Sequence, residues 1–425
     1  MATRVLRKKP NRDLGSYSSS VPKEFDNVIV LGAVSVVGTH AEGEACDVVI
    51  GGVRDVSGQT ISERQRRFQD EQGGLCARLL NEPRGRCGMN AVFMLKPSSS
   101  AADRALLMAK NNEFVPISIS SVISAANVLA ELPQAGGPDP DQASLVNKYT
   151  FETVAGNILV EANYRADNDK GYLCDTVNVH NVPSYVVTLR HRVDIPSVGT
   201  VSMDIAFGGV FCAFVDAASI GLKLDYGHGE KIVRIGEQIK RSLRSFTATH
   251  PEKPEISGIS SVVFTGKVER RSQVKVVRSA TVVSPGRLDR SPSGTATSAL
   301  LAVMRARGEI KTETLCNRSL SNTEYFGRID GKAQVGPYRA IKPVIKGRAF
   351  ITSLKHVVRD PNDPFQEGFR GADQWGPEET KNDQQDMSGL GLAFEATSLE
   401  DRDYENFDWD DRASTVFTIY SPEIH

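Results

Sequence analysis

Two short segments of this chain carry hydroxyl groups in a pattern that suits chemistry. Pro116-Ile117-Ser118-Ile119-Ser120-Ser121 precedes an Ala/Leu-rich run with apolar positions at 122, 123, 126 and 129, and Ser291-Pro292-Ser293-Gly294-Thr295-Ala296-Thr297 precedes another with positions 300, 301 and 304. Both runs have helical spacing, and small hydroxyl residues flanked by breakers are helix N-terminal signals. Ser118 and Ser293 lie 175 positions apart, one at each start. A helix N-terminus offers free N–H groups and partial positive charge, a ready seat for a carboxylate. Two facing starts would clamp one anion, and a side chain from each would reach the bound molecule from opposite sides. One group could then remove a proton next to the carboxylate while the other delivers it to the opposite face. The plain alternative is that both serines are helix caps, worth about 1 kcal/mol each.

The elements that must position these starts read as follows. Short β-rich runs such as Val186-Val187-Thr188-Leu189 and Ser261-Val262-Val263-Phe264 alternate with Gly, Pro and Asn/Asp turns through 26–110 and 149–290, so strands dominate both stretches. The first strand is expected at Asn27–Gly32; Gly32 and Gly38 do not spell G-x-G-x-x-G, which argues against a dinucleotide site. With 425 residues, 40% of them hydrophobic and 24% charged, the chain has the composition of a folded globular protein with a large core. Six cysteines without C-x-x-C spacing read as free thiols, with neither a disulfide framework nor a metal site. No run is apolar and long enough to span a membrane, and no secretory leader is visible, so a cytoplasmic location is expected. Asn317-Arg318-Ser319 is then a chance match to a glycosylation sequon.

Net charge −1 hides an asymmetry: residues 1–25 carry +4 and residues 371–425 carry −11. The basic arm lacks interleaved aromatic residues apart from Tyr17 and reads as a solvated tail, so no nucleic acid and no membrane are expected as partners. The closing Ser414–Tyr420 is β-prone and reads as a strand that docks.

The residues resemble the proline racemase superfamily, which includes 4-hydroxyproline 2-epimerases and trans-3-hydroxyproline dehydratases. The resemblance spans roughly 27–370. Its landmarks are Thr39-His40-Ala41-Glu42-Gly43-Glu44, Asn81-Glu82-Pro83-Arg84-Gly85-Arg86, Glu152-Thr153-Val154-Ala155-Gly156, Asn181-Val182-Pro183-Ser184-Tyr185, Asp204-Ile205-Ala206-Phe207-Gly208-Gly209, Asp289-Arg290-Ser291-Pro292-Ser293-Gly294-Thr295 and Asp363-Pro364-Phe365 with Gly368-Phe369. It implies an α/β (α+β) fold of the diaminopimelate-epimerase type. In such a fold two pseudo-symmetric halves each wrap a curved mixed sheet around a central helix, with the active-site cleft between them. The expected organisation is a basic arm over 1–25, a first half over 26–157 to which 347–370 returns, a second half over 158–346 and an acidic extension over 371–425. The resemblance also implies a small-molecule carboxylate substrate, no cofactor and a homodimer.

At the two starts the chain departs from the family. Family members carry Cys-Gly-His at the first, where this chain has Ser118-Ile119-Ser120, and a cysteine at the second, where it has Ser293. Two aromatic positions become Asn90 and Val283, while Asp289, the position that contacts the substrate's ring nitrogen, is kept. The candidate catalytic residues are therefore Ser118, Ser293 and Asp289. The candidate substrate-binding residues are Ile119, Ser120, Ser121, Gly294, Thr295, Asn90 and Val283.

An alcohol is a far weaker proton trader than a thiol near neutral pH unless a base activates it, and no local base replaces the missing histidine. Three readings follow: an epimerase or dehydratase acting on a hydroxyproline-type imino acid, a repurposed isomerase, lyase or cyclase with another substrate, and a non-catalytic ligand-binding descendant. Elsewhere, the plain alternative for Asp289 is that it pairs with Arg290 or caps the same turn, His40 reads as a structural histidine, Glu82 and Arg84 read as a stabilising pair, and Arg64-Gln65-Arg66-Arg67 reads as the solvated face of a helix.

Overall fold

A computed structural model describes residues 33–110, 113–132, 145–167, 171–196 and 198–371. The basic arm, the strand expected at 27–32 and the closing stretch 414–420 lie outside the described residues. Four α-helices are described: α1 (Ile61–Leu80), α2 (Ile119–Glu131), α3 (Gly229–Ser242) and α4 (Gly294–Ala306). Strands make up most of the rest. They join in one 19-stranded mixed sheet, with a separate two-stranded ribbon at Thr249–His250 and Lys253–Ser257. This is the expected sheet-dominated α+β architecture.

The two serine-led runs form α2 and α4, each beginning a few residues before its apolar pattern. Both lack charged residues until their last turn and carry only small polar groups among their apolar ones, which places a helix inside a core rather than on its surface. Every residue of α2 from Ile119 to Leu129 is buried, as is every residue of α4 from Gly294 to Met304. Strands Val34–Ala41, Glu44–Gly51, Gly171–His180 and Ala349–Val357 pack around α2. Strands Ser184–Ile195, Gly199–Phe207, Glu324–Val335 and Tyr338–Gly347 pack around α4. Ala349–Val357 comes from late in the chain and pairs antiparallel with Val34–Ala41.

The segment Asp204–Gly209 shows how a landmark does structural work. Asp204 accepts the Arg190 N–H at 3.0 Å and pairs with Arg307, the residue that ends α4, at 2.5 Å. At its other end Gly208 lies so close to the first turn of α4 that a Cβ there would sit 2.2 Å from the Thr295 carbonyl oxygen. Asn181 completes the clamp, donating to the Gly208 carbonyl at 2.8 Å and to Ser298 Oγ at 2.9 Å. The strand therefore runs the length of α4 and fixes both of its ends.

Two expectations need correction. Arg84 pairs not with Glu82 but with Asp363, at 2.5 Å, and donates to the Phe365 carbonyl, while the Glu82 backbone forms a β-bridge to Phe369. These contacts tie the segment after α1 to the 363–369 turn. Arg64 is 3% exposed and turned inward; it pairs with Asp55 at 2.6 Å and donates to the Val56 and Lys96 carbonyls, which supply the partners a buried guanidinium requires. Gln65 is also buried, so the solvated face of α1 is narrower than its charges suggest.

Candidate active site

Ser118 occupies the N-cap position of α2, yet its hydroxyl makes no capping hydrogen bond. Ser121 Oγ donates to Ser118 Oγ at 3.1 Å, Ser118 and Ser120 hydroxyls meet at 3.1 Å, and the Cys46 thiol donates to Ser121 Oγ at 3.6 Å. Burial pushes the Cys46 thiol up to about 12, so it stays protonated and serves as the donor at the inner end of this chain. With Cys46 donating to Ser121 and Ser121 to Ser118, Ser118 is left to direct its own proton toward Ser120 or outward. The Ser118 N–H points at Met108 Sδ, 3.1 Å away.

Ser293 stands at the N-cap of α4 and likewise makes no side-chain cap. Its backbone has φ +57° and ψ +106°, a conformation that costs a non-glycine residue about 1–3 kcal/mol. The surroundings enforce it. Ser291 Oγ accepts the Ser293 N–H at 3.1 Å, and Thr297 donates from both its N–H and its hydroxyl to the Ser293 carbonyl. Asn317 donates to the Pro292 carbonyl at 3.0 Å and to Thr297 Oγ1 at 2.9 Å while accepting from Ser279 at 2.8 Å. Asn317 is thus a buried brace for the second serine, inaccessible as a glycosylation acceptor in the folded chain.

The two starts touch. A Cβ on Gly294 would lie 2.4 Å from both Cβ and Cγ2 of Ile119. Beside them, a Cβ on Gly209, where φ is +110°, would meet Ile117 Cγ2 at 2.5 Å. The residues directly following the two serines therefore form a seam. Among the described residues, no hydrogen bond reaches the N–H groups of Ile119, Ser120 and Ser121, or those of Gly294, Thr295 and Ala296. Both helix starts thus keep their unpaired donors.

Asp289 does not pair with Arg290. Its Oδ1 accepts the Ser291 N–H at 3.0 Å and the Ser291 hydroxyl at 2.9 Å, which links it through Ser291 to the Ser293 N–H. Burial, and then the negative charge of Glu44, push the Asp289 carboxyl up to about 6, against the pull of Lys110 and Arg287. Glu44 is the group that reading the sequence for chemistry missed. It is fully buried, pairs with Arg287 at 2.7 Å and accepts from Asn90 Nδ2 at 3.1 Å and from the Arg290 N–H at 2.8 Å. Burial raises its carboxyl, but Arg287, Lys110 and these hydrogen bonds outweigh it and hold the group at about 2. A carboxylate opening a largely apolar strand, which also carries Asp47, was the available signal.

The candidate residues thus fall into sets. Ser118, Ser120 and Ser121 share one hydroxyl chain, Ile119 meets Gly294, and Ser293 faces Thr295 at 3.5 Å between their hydroxyls. Asn90 belongs to the Glu44 network, and Val283 lies on the strand Val274–Val283, paired with Ser261 and Arg287. His40 accepts the Gly43 N–H at 3.3 Å and packs its ring 5.0 Å from Phe350, a structural setting. Among the described residues, no group of three or more His, Cys, Asp or Glu side chains could hold a metal ion, and no helix is long and apolar enough to cross a membrane.

The chain is similar to known proteins over most of its length. A probable proline racemase from Agrobacterium radiobacter K84, solved with bound carbonate, is 32% identical, with 81% of this chain and 98% of that one covered at a TM-score of 0.73. A hydroxyproline epimerase from Agrobacterium vitis, solved with bound trans-4-hydroxy-L-proline, is 30% identical, with 81% and 97% covered at the same TM-score of 0.73. The sequence model of the family described as proline racemase matches residues 36–370, and the chain belongs to that family.

Proposed function

We propose that this protein carries out cofactor-independent proton transfer at the carbon next to the carboxylate of a proline-like imino acid, of the hydroxyproline type rather than proline itself. The observation that carries this reading is the meeting of two helix starts whose N-cap hydroxyls do not cap their own helices and whose first N–H groups have no hydrogen-bond partner among the described residues. The substrate carboxylate would sit on those N–H groups. Ser118 and Ser293 would flank its α-carbon, and Asp289 would receive the ring nitrogen. The hydroxyproline epimerase that this chain resembles over most of its length supports the substrate class.

A second reading, dehydration of a 3-hydroxyproline, is favoured by the direction of the Cys46–Ser121–Ser118 chain. A hydroxyl held as a donor is suited to assist a leaving hydroxyl group and poorly suited to take a proton. Incubation of the full chain with L-proline, trans-4-hydroxy-L-proline and trans-3-hydroxy-L-proline in deuterated water separates the two readings. Deuterium at Cα with inversion marks epimerisation, and loss of water from the 3-hydroxy substrate alone marks dehydration. No exchange and no turnover with any of the three would refute both.

A further inference from the structure

Lys110 ends the strand Arg104–Lys110 and lies opposite Asn90, which opens the antiparallel strand Asn90–Leu95. Asn90 in turn lies beside Cys46 on the parallel strand Glu44–Gly51. Residues paired across a sheet share a face, so Cys46, Asn90 and Lys110 form one row. Contacts along the row identify that face. The Cys46 thiol donates to Ser121 of α2, and Asn90 donates to Glu44, which stands two positions before Cys46 and therefore on the same side. Met108, two positions before Lys110 on its own strand, takes the Ser118 N–H on its sulfur. Lys110 thus belongs to the side of the sheet that carries α2 and its serine start.

Its charge is felt on both sides of the site. The Lys110 ammonium pulls down the carboxyls of Glu44 and Asp289 and the thiols of Cys46 and Cys212. Cys46 lies under α2, Asp289 leads into α4, and Cys212 lies on the strand Phe211–Asp216, which packs against α4. Such interactions fall off with distance, so a single charge reaching all four lies among them. Arg287, the other cation of this group, is already committed to Glu44 at 2.7 Å. Lys110 is half-buried, and among the described residues no carboxylate comes within ion-pair distance of it. An ammonium partly removed from water gains most from an opposite charge.

We propose that Lys110 is a substrate-binding residue whose ammonium pairs with the carboxylate of the bound ligand, beside the free N–H groups of the helix starts. The inference rests on the imino-acid reading above. Such a ligand carries one negative and one positive group, and the site answers the first with Lys110 and the second with Asp289.

Isothermal titration of the full natural chain, Lys110→Met and Lys110→Arg tests this with trans-4-hydroxy-L-proline, trans-3-hydroxy-L-proline and the carboxamide of whichever acid binds more tightly. A hydrogen bond to a charged group contributes about 10- to 100-fold in affinity. Lys110→Met should therefore weaken the acid by about tenfold or more and the uncharged amide by clearly less, and Lys110→Arg, which keeps the positive charge, should recover most of the loss. A smaller loss in Lys110→Met, a loss that the amide shares in full, or a loss that Lys110→Arg does not recover would make Lys110 a structural counter-charge to Glu44 and Asp289. Any of these would overturn the assignment while leaving the imino-acid reading intact. Failure of the natural chain to bind either acid would overturn the imino-acid reading, and this proposal with it.

Discussion

Glu44 and Arg287 meet at 2.7 Å in the interior, the carboxylate side chain wholly buried and the guanidinium 7% exposed, although 243 positions separate them. The pair joins the strand Glu44–Gly51, next to α2, to the strand Arg287–Leu288, which leads into α4. It also places a permanent negative charge beside Asp289, so the same contact that links the surroundings of the two helices tunes an ionisable group of the site.

Removing one partner of this pair leaves the other buried and uncompensated. Glu44→Gln should therefore lower stability by about 3–5 kcal/mol, the usual cost of breaking a buried ion pair. Urea denaturation of the natural and variant chains measures it, and a loss within error of zero would mean that the interior tolerates a lone Arg287 charge.

Asp289 gives a pH dependence whose sign can be worked out. Its carboxyl lies near about 6 in the folded chain, above the ordinary value of about 3.9, so the folded state binds more protons than the unfolded one between those values. Stability from this group is present below pH about 4 and is lost as pH rises through about 6. Asp289→Asn should be more stable relative to the natural chain above that window than below it, and Glu44→Gln should move the window down by removing the repelling charge. Melting temperatures recorded from about pH 3 to about pH 7, about two units either side of the window's centre, report both effects.

L-Proline racemisation by the natural protein should be negligible. Ile119, Ser120, Asn90 and Val283 stand where the resemblance gives a glycine, a histidine and two aromatic residues, so the surroundings of the two serines are no longer those that fit proline. Replacing both serines by cysteine should not restore it, because Ile119, Ser120, Asn90 and Val283 keep their present positions. Polarimetry with L-proline checks each protein, and efficient racemisation by either would show that the site accommodates proline as it stands.

Asn317→Ala removes three buried hydrogen bonds and strands the Ser279 hydroxyl, while the Thr297 hydroxyl keeps only its bond to the Ser293 carbonyl. Each group left unsatisfied costs about 1–3 kcal/mol, and the strained Ser293 backbone loses a brace. Both a lower melting temperature and faster amide hydrogen exchange at Thr297 should result; unchanged exchange there would sever Asn317 from the support of Ser293.

Local chemistry was legible in the residues themselves. Capping signals and apolar periodicity depend on neighbours a few positions away, so the starts of α2 and α4 could be read directly, and seven short motifs in order identified the family and its sheet-dominated fold. Partnerships across the chain were not legible. Ile119 meets Gly294 and Arg84 meets Asp363 only because the sheet brings together segments 175 and 279 positions apart, and nothing in either local sequence names its partner. The charged residues Arg64, Glu44 and Asp289 were the hardest to place, for the same reason. Whether a charge is buried, and which protonation state it then favours, depends on the carbonyls, guanidinium groups and hydroxyls that folding assembles around it, and the energy of that assembly exceeds any local preference of the residue for water.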